Sequence, residues 1–174
     1  QSKPFILLGE SFSGPVALSI AEAPPPNLVG LILSTTFAAS PVPFLSPFVV
    51  LTHIAPVRAL PQSLLSWLLL GRWATPQLET SLQETLQAVS PAVLRFRAAT
   101  AMRANASVGL HSISNPVLYL RASHDRLLPP TASRHILSAI PQCTVADITG
   151  PHLLLQAAPE DCARAVVAFA NALD

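Results

Sequence analysis

Residues 4–14 read Pro4-Phe5-Ile6-Leu7-Leu8-Gly9-Glu10-Ser11-Phe12-Ser13-Gly14, and Pro15-Val16-Ala17-Leu18-Ser19-Ile20-Ala21-Glu22 follows directly. Pro4 to Leu8 is an unbroken apolar run stopped by a glycine, the pattern of a strand buried on both faces of a parallel sheet. Pro15 to Glu22 reads as a helix, since proline is tolerated in a first turn. Pro24-Pro25-Pro26 ends it. Leu28 to Leu33 is a second buried strand. Strand, sharp turn, helix and strand make one β-α-β unit.

The turn between strand and helix carries the chemistry. A serine held between a strand and a helix occupies a strained backbone conformation, so its close neighbours must be small. Gly9 and the Ser13-Gly14 pair meet that need in a Gly-x-Ser-x-x-Gly string. Ser11 is therefore the candidate nucleophile. The helix N-terminus beside it favours developing negative charge. The N–H of Phe12 is the expected oxyanion donor. The string alone also fits a tight turn with no chemistry; the strand before it and the helix after it are what favour the nucleophile.

A reactive serine needs a base and an orienting acid. On a parallel sheet these belong at the carboxyl ends of later strands. Val117 to Leu120 is such a strand, and the loop after it contains Asp125. Thr144 to Ile148 is a weaker strand, followed by Thr149-Gly150-Pro151-His152. Taken singly, Asp125 also reads as a turn residue and His152 as a loop histidine. Three fitting residue types at three strand ends carry the triad Ser11, Asp125, His152. Asp147 sits in or at the end of a strand and suits a structural role. His124 lies on the wrong loop for the base, and His135 falls within a helix. His53 and His111 have no acid nearby in sequence. Glu10 reads as an anchor for the turn or a solvent-facing residue. Asn105-Ala106-Ser107 matches a glycosylation acceptor, a pattern common by chance.

The middle of the chain, residues 36–113, differs from both ends. It is rich in proline and carries three helical patterns: Pro61 to Leu70; Pro76 to Val89, with Thr75 as N-cap; and Ser90-Pro91 to about Ala104. We read an all-helical insertion into a core made of residues 1–35 and 114–174. Within that core, Ala132 to Ile140, begun by Thr131, and Ala157 to Leu173 are expected as helices.

Composition excludes several classes. Hydrophobic residues make up 51% of the 174 and charged residues 11%, the balance of a folded chain. Net charge is +1 with no basic patch, which argues against a nucleic-acid partner. Cys143 and Cys162 lie outside any CxxC or CxxH pattern, so a structural zinc site is not expected. The two cysteines read equally as a disulfide or as buried thiols. The apolar stretch Pro43 to Leu70 is broken by Pro47, Pro56 and Pro61, so no transmembrane span is expected. No basic-then-apolar leader is readable, and the cytoplasm is the expected compartment.

Together, the quoted turn, Val117-Leu118-Tyr119-Leu120-Arg121-Ala122-Ser123-His124-Asp125 and Thr149-Gly150-Pro151-His152 resemble the α/β-hydrolase superfamily. The likeness is to small esterases and lipases with a helical cap. It implies an α/β fold with a partial parallel sheet and residues 36–113 as a cap over the site. It implies Ser11 as nucleophile, Asp125 as acid and His152 as base, acting on a small-molecule ester without a cofactor. The apolar cap residues Phe44, Leu45, Phe48, Val49, Val50, Leu64, Leu65, Trp67, Leu68, Leu69 and Leu70 suggest an apolar substrate group, although most also read as the cap's own core. An acyltransferase with the same triad and a non-catalytic ligand-binding protein stay open as alternatives. Two departures matter. The common form has glycine two residues after the nucleophile, where this chain has Ser13. The family also has several strands and two helices before this turn, with a Gly-rich loop that supplies the second oxyanion donor. Here eight residues precede Gly9. The expectation is the C-terminal part of a longer hydrolase, or a shortened protein whose apolar edge another chain covers.

Overall fold

The computed structural model of the chain describes residues 3–41, 60–106 and 109–173. Four strands form one parallel sheet: β1 (Phe5–Glu10), β2 (Leu28–Ser34), β3 (Val117–Ala122) and β4 (Cys143–Ile148). Their spatial order is their chain order. Right-handed crossovers that always step the same way put their helices on one face. Accordingly α1 (Ser13–Glu22) and α5 (Pro130–Ala139) share one core layer with Leu31, Leu33, Val117 and Tyr119. The alternate residues Ile32, Leu118, Leu120 and Ile148 point the other way, as the period of two requires. They pack against α6 (Leu154–Ala157) and α7 (Pro159–Asn171) through Leu154, Cys162, Val166 and Phe169.

Three expectations need correction. β1 is not buried on both faces: among the described residues it pairs with β2 alone, and Phe5 and Leu8 are 37% and 42% exposed. The expected final helix, Ala157 to Leu173, forms as α7 from Pro159, and the short α6 before it was not expected. Helix α5 begins at Pro130, with Pro129 as its N-cap, so Thr131 is inside it. The strand and helix ends otherwise shift by one or two residues. Both cysteines are free thiols, and burial pushes that of Cys143 up to about 11.

The three helical patterns expected between Pro61 and Ala104 form helices. Helices α2 (Gln62–Leu69), α3 (Pro76–Ala88) and α4 (Pro91–Arg103) follow one another, with a 3-10 turn at Gly71–Trp73. Thr75 and Ser90 each accept a backbone N–H, from Leu78 and Val93, and each precedes a proline at the first helical position. The stretches that follow β2 and α4 meet. There Ala39 pairs antiparallel with Asn105, Ser40 N–H donates to Ala104 O at 2.9 Å, and Ala106 N–H donates to Ala38 O at 2.7 Å. Phe44, Leu45, Phe48, Val49, Val50 and His53 lie outside the described residues.

One buried side chain fixes how the chain leaves β2. The Tyr119 hydroxyl donates to Thr36 O at 2.7 Å and accepts from Thr36 N–H at 3.1 Å. Burial holds its ionisation well above the usual phenol range. Tyr119→Phe would leave both peptide groups of Thr36 buried and unpaired. We expect a loss of about 1–3 kcal/mol, read as a lower urea midpoint at unchanged m-value.

Candidate active site

Ser11 sits where β1 turns into α1, with φ of +49°. A serine in the left-handed region is held there at a cost, and surrounding bonds must enforce it. Ser11 N–H donates to Ser34 O at 2.9 Å, and Ser11 O accepts from Gly14 N–H at 3.1 Å and Thr36 Oγ1 at 2.5 Å. The turn is thus tied to the end of β2. Close packing also explains the small residues. A Cβ on Gly14 would stand 1.8 Å from Thr36 Oγ1, and one on Gly9 would stand 2.8 Å from Ala17 Cβ. Ser13 is exposed, so a side chain is tolerated there. Its hydroxyl accepts from Glu10 N–H and donates to Glu10 O, each at 2.8 Å. Gly14→Ala should force the turn and Thr36 apart and lower stability by about 1–3 kcal/mol in urea unfolding. Ser13→Gly should cost less than that.

The structure brings Ser11, Asp125 and His152 into one line. Ser11 Oγ is 2.8 Å from His152 Nε2, and His152 Nδ1 is 2.9 Å from Asp125 Oδ2. The His152 side chain is 1% exposed and that of Asp125 is 12%. A carboxylate only accepts, so Nδ1 carries the ring proton and Nε2 is left to accept from the serine hydroxyl. Asp125 is itself held, since its Oδ1 accepts from Leu127 N–H at 2.8 Å and Leu128 N–H at 2.9 Å. The two loops are stitched together by Ser123 N–H to Ile148 O and His124 N–H to Gly150 O, both 3.0 Å. Helix α2 and the turn after it reach the same place: Leu153 N–H donates to Leu69 O at 3.0 Å, and Trp73 lies 5.1 Å from the His124 ring. Phe12 N–H has no hydrogen-bond partner among the described residues, and Arg97 of α4 lies 5.9 Å above the Phe12 ring.

The remaining candidates take other places. His124 meets Ser123 Oγ, His111 meets Ala139 O, and His135 lies on α5. Asp147 pairs with Arg121, whose guanidinium holds the carboxyl below the usual range. Asn105 forms the antiparallel bridge with Ala39. Among the described residues no cluster of His, Cys, Asp or Glu could hold a metal ion. No helix among them is long and apolar enough to cross a membrane. A cavity of about 290 Å³ opens beside Asp125 and is lined by Thr35, Ser123, Leu128 and Pro129. Ser11 and His152 are not among its walls.

Sequence reading missed three contributors: Thr36, which grips Ser11 O; Gln156, which donates to Glu10 Oε2 at 3.0 Å; and Leu153, whose N–H donates to Leu69 O. Thr36 had a signal, because it follows a strand whose carboxyl end faces the site. The other two lie on or beside α6, a stretch ahead of the expected final helix for which no helix was read.

Comparison with known proteins agrees with this architecture. A family model described as serine aminopeptidase, S33, matches residues 1–152, a span that includes Ser11, Asp125 and His152. Among solved structures, an enol-lactonase from Burkholderia xenovorans LB400 superposes with a TM-score of 0.83 at 17% identity, over 97% of this chain and 66% of that one. A thermophilic esterase from Thermogutta terrifontis gives 0.81 at 22% identity, over 98% and 66%. A hydrolase from Oleispira antarctica gives 0.78 at 16% identity, over 96% and 65%. The chain spans just under two thirds of the length of these three. No curated protein matches it.

Proposed function

Because the chain belongs to the serine aminopeptidase (S33) family of α/β-hydrolases, we propose that it is a serine hydrolase that cleaves carboxylic esters through an acyl-enzyme. The observation that carries this reading is the unbroken line from Ser11 Oγ through His152 to Asp125, at 2.8 and 2.9 Å. In the reaction, Ser11 Oγ attacks the ester carbonyl carbon while its proton passes to His152 Nε2. The carbonyl oxygen becomes an oxyanion, received by Phe12 N–H at the head of α1. Asp125 keeps the imidazole oriented and stabilises its charged form. Collapse of the tetrahedral intermediate breaks the bond to the alkoxy group, which leaves with the proton from His152. Water then attacks the acyl-enzyme, gives its proton to Nε2, and releases the acid and free Ser11.

The preference for an ester with an apolar group rests on the insertion, acting as a cap. Its helices α2 and α4 leave Leu64, Trp67, Val93 and Phe96 exposed, more apolar surface than a polar substrate needs. The test is labelling of the full-length protein with a fluorophosphonate probe, followed by product analysis on neutral esters. One equivalent of adduct on Ser11 and release of the free acid are expected. No adduct would sink the reading. Transfer of the acyl group to an added alcohol, in place of water, would make the enzyme an acyltransferase.

A further inference from the structure

Building on the hydrolase reading of Ser11 and His152, we propose that Glu10 is a positioning residue whose bond to Gln156 locks the His152 loop onto the nucleophile turn. Glu10 ends β1 and directly precedes Ser11. Gln156 lies on α6, shortly after His152. Their bond, Gln156 Nε2 to Glu10 Oε2 at 3.0 Å, joins the two turns that carry nucleophile and base. The Ser11–His152 bond joins them a second time. The result is a closed ring: Glu10 to Gln156, along α6 to His152, across to Ser11, and back to Glu10. With two ties in place of one, the loop cannot pivot about the catalytic bond alone.

Glu10 is itself well fixed for this task. Ser13 Oγ engages both its N–H and its carbonyl, so its backbone cannot drift. Its other carboxylate oxygen, Oε1, is buried without a hydrogen-bond partner, and so is Oγ of Ser34. Glu10 and Ser34 are partners across the β1–β2 register. Both therefore point to the sheet face that α6 and α7 cover. A buried carboxylate oxygen with no donor is costly. An apolar residue would serve stability better at this position, and costs of this kind collect at functional sites.

The experiment uses Glu10→Ala, Gln156→Ala, their double variant and Glu10→Gln in the full-length protein, assayed on a neutral p-nitrophenyl ester. Each alanine variant should lower kcat about tenfold with KM within about twofold, because the loss is one of alignment. The double variant should lose no more than the worse single one, since both act through one bond. Glu10→Gln keeps an acceptor for Gln156 and should recover most of the rate. Gln156 is exposed, so its alanine variant stays informative if Glu10→Ala fails to fold. Wild-type kcat in Gln156→Ala, additive losses, or a fall in Tm without a fall in kcat would overturn the role of Glu10 while leaving the hydrolase intact. Absence of a Ser11-dependent adduct in the wild type would remove the reading on which it rests.

Discussion

Ser11→Ala should lower kcat for ester hydrolysis by at least about 10⁴-fold and abolish fluorophosphonate labelling, with the fold unchanged. The fold should survive because the backbone strain at φ +49° is borne by bonds to Ser34, Gly14 and Thr36, none of which uses the Ser11 side chain. Alanine meets the same strain as serine. Only Oγ is lost, and with it the bond to His152. His152→Ala should fall to a similar rate, and the double variant should be no slower than either, because nucleophile and base act as one unit. A Ser11→Ala protein that keeps a tenth of the rate, in a preparation free of contaminating esterase, would place the chemistry elsewhere. In that case the 2.8 Å contact would be a buried hydrogen bond of structural value only.

Why so much of this site was legible in the sequence has a physical basis. A parallel strand buried by helices must be a short apolar run, and a turn that packs against its neighbours must be small. Both constraints are local, so Phe5 to Gly14 displays them in order. Asp125 and His152 were legible for a related reason: loops after parallel strands converge at one end of the sheet, so chain position after a strand predicts proximity in space. What stayed hidden was non-local. The burial of β1 depends on which strands flank it, and the run Pro4 to Leu8 reads alike at an edge or in the middle. The closure of Gly14 depends on Thr36, which follows the next strand. Position 13 is the reverse case. A glycine is customary there in the family, yet this backbone leaves Ser13 exposed and uses its hydroxyl to clamp Glu10. The short helix α6 also went unread, because four residues are too few to show a helical period.

Asp125→Asn should also lower kcat by about 10⁴-fold, and by a mechanism that leaves every atom nearly in place. The present geometry requires Nδ1 of His152 to donate to Asp125 Oδ2, which frees Nε2 to accept the serine proton. Asparagine has one acceptor and one donor group. Its carbonyl is claimed by the N–H groups of Leu127 and Leu128, which now bond Asp125 Oδ1. The amide N–H₂ then faces His152, and Nδ1 must accept. The ring proton moves to Nε2, which presents a donor to Ser11 where an acceptor is needed. Stability should change little, because the loop keeps its turn bonds. Asp125→Ala removes those bonds as well, so it should lose rate and stability together. The pair of variants thus separates orientation of the base from anchoring of the loop. Labelling of Asp125→Asn by a fluorophosphonate should be slowed by a similar factor but still reach Ser11, since the nucleophile is intact. An asparagine variant within about tenfold of wild type would mean that the 2.9 Å contact does not set the tautomer, and Asp125 would lose its place in the triad.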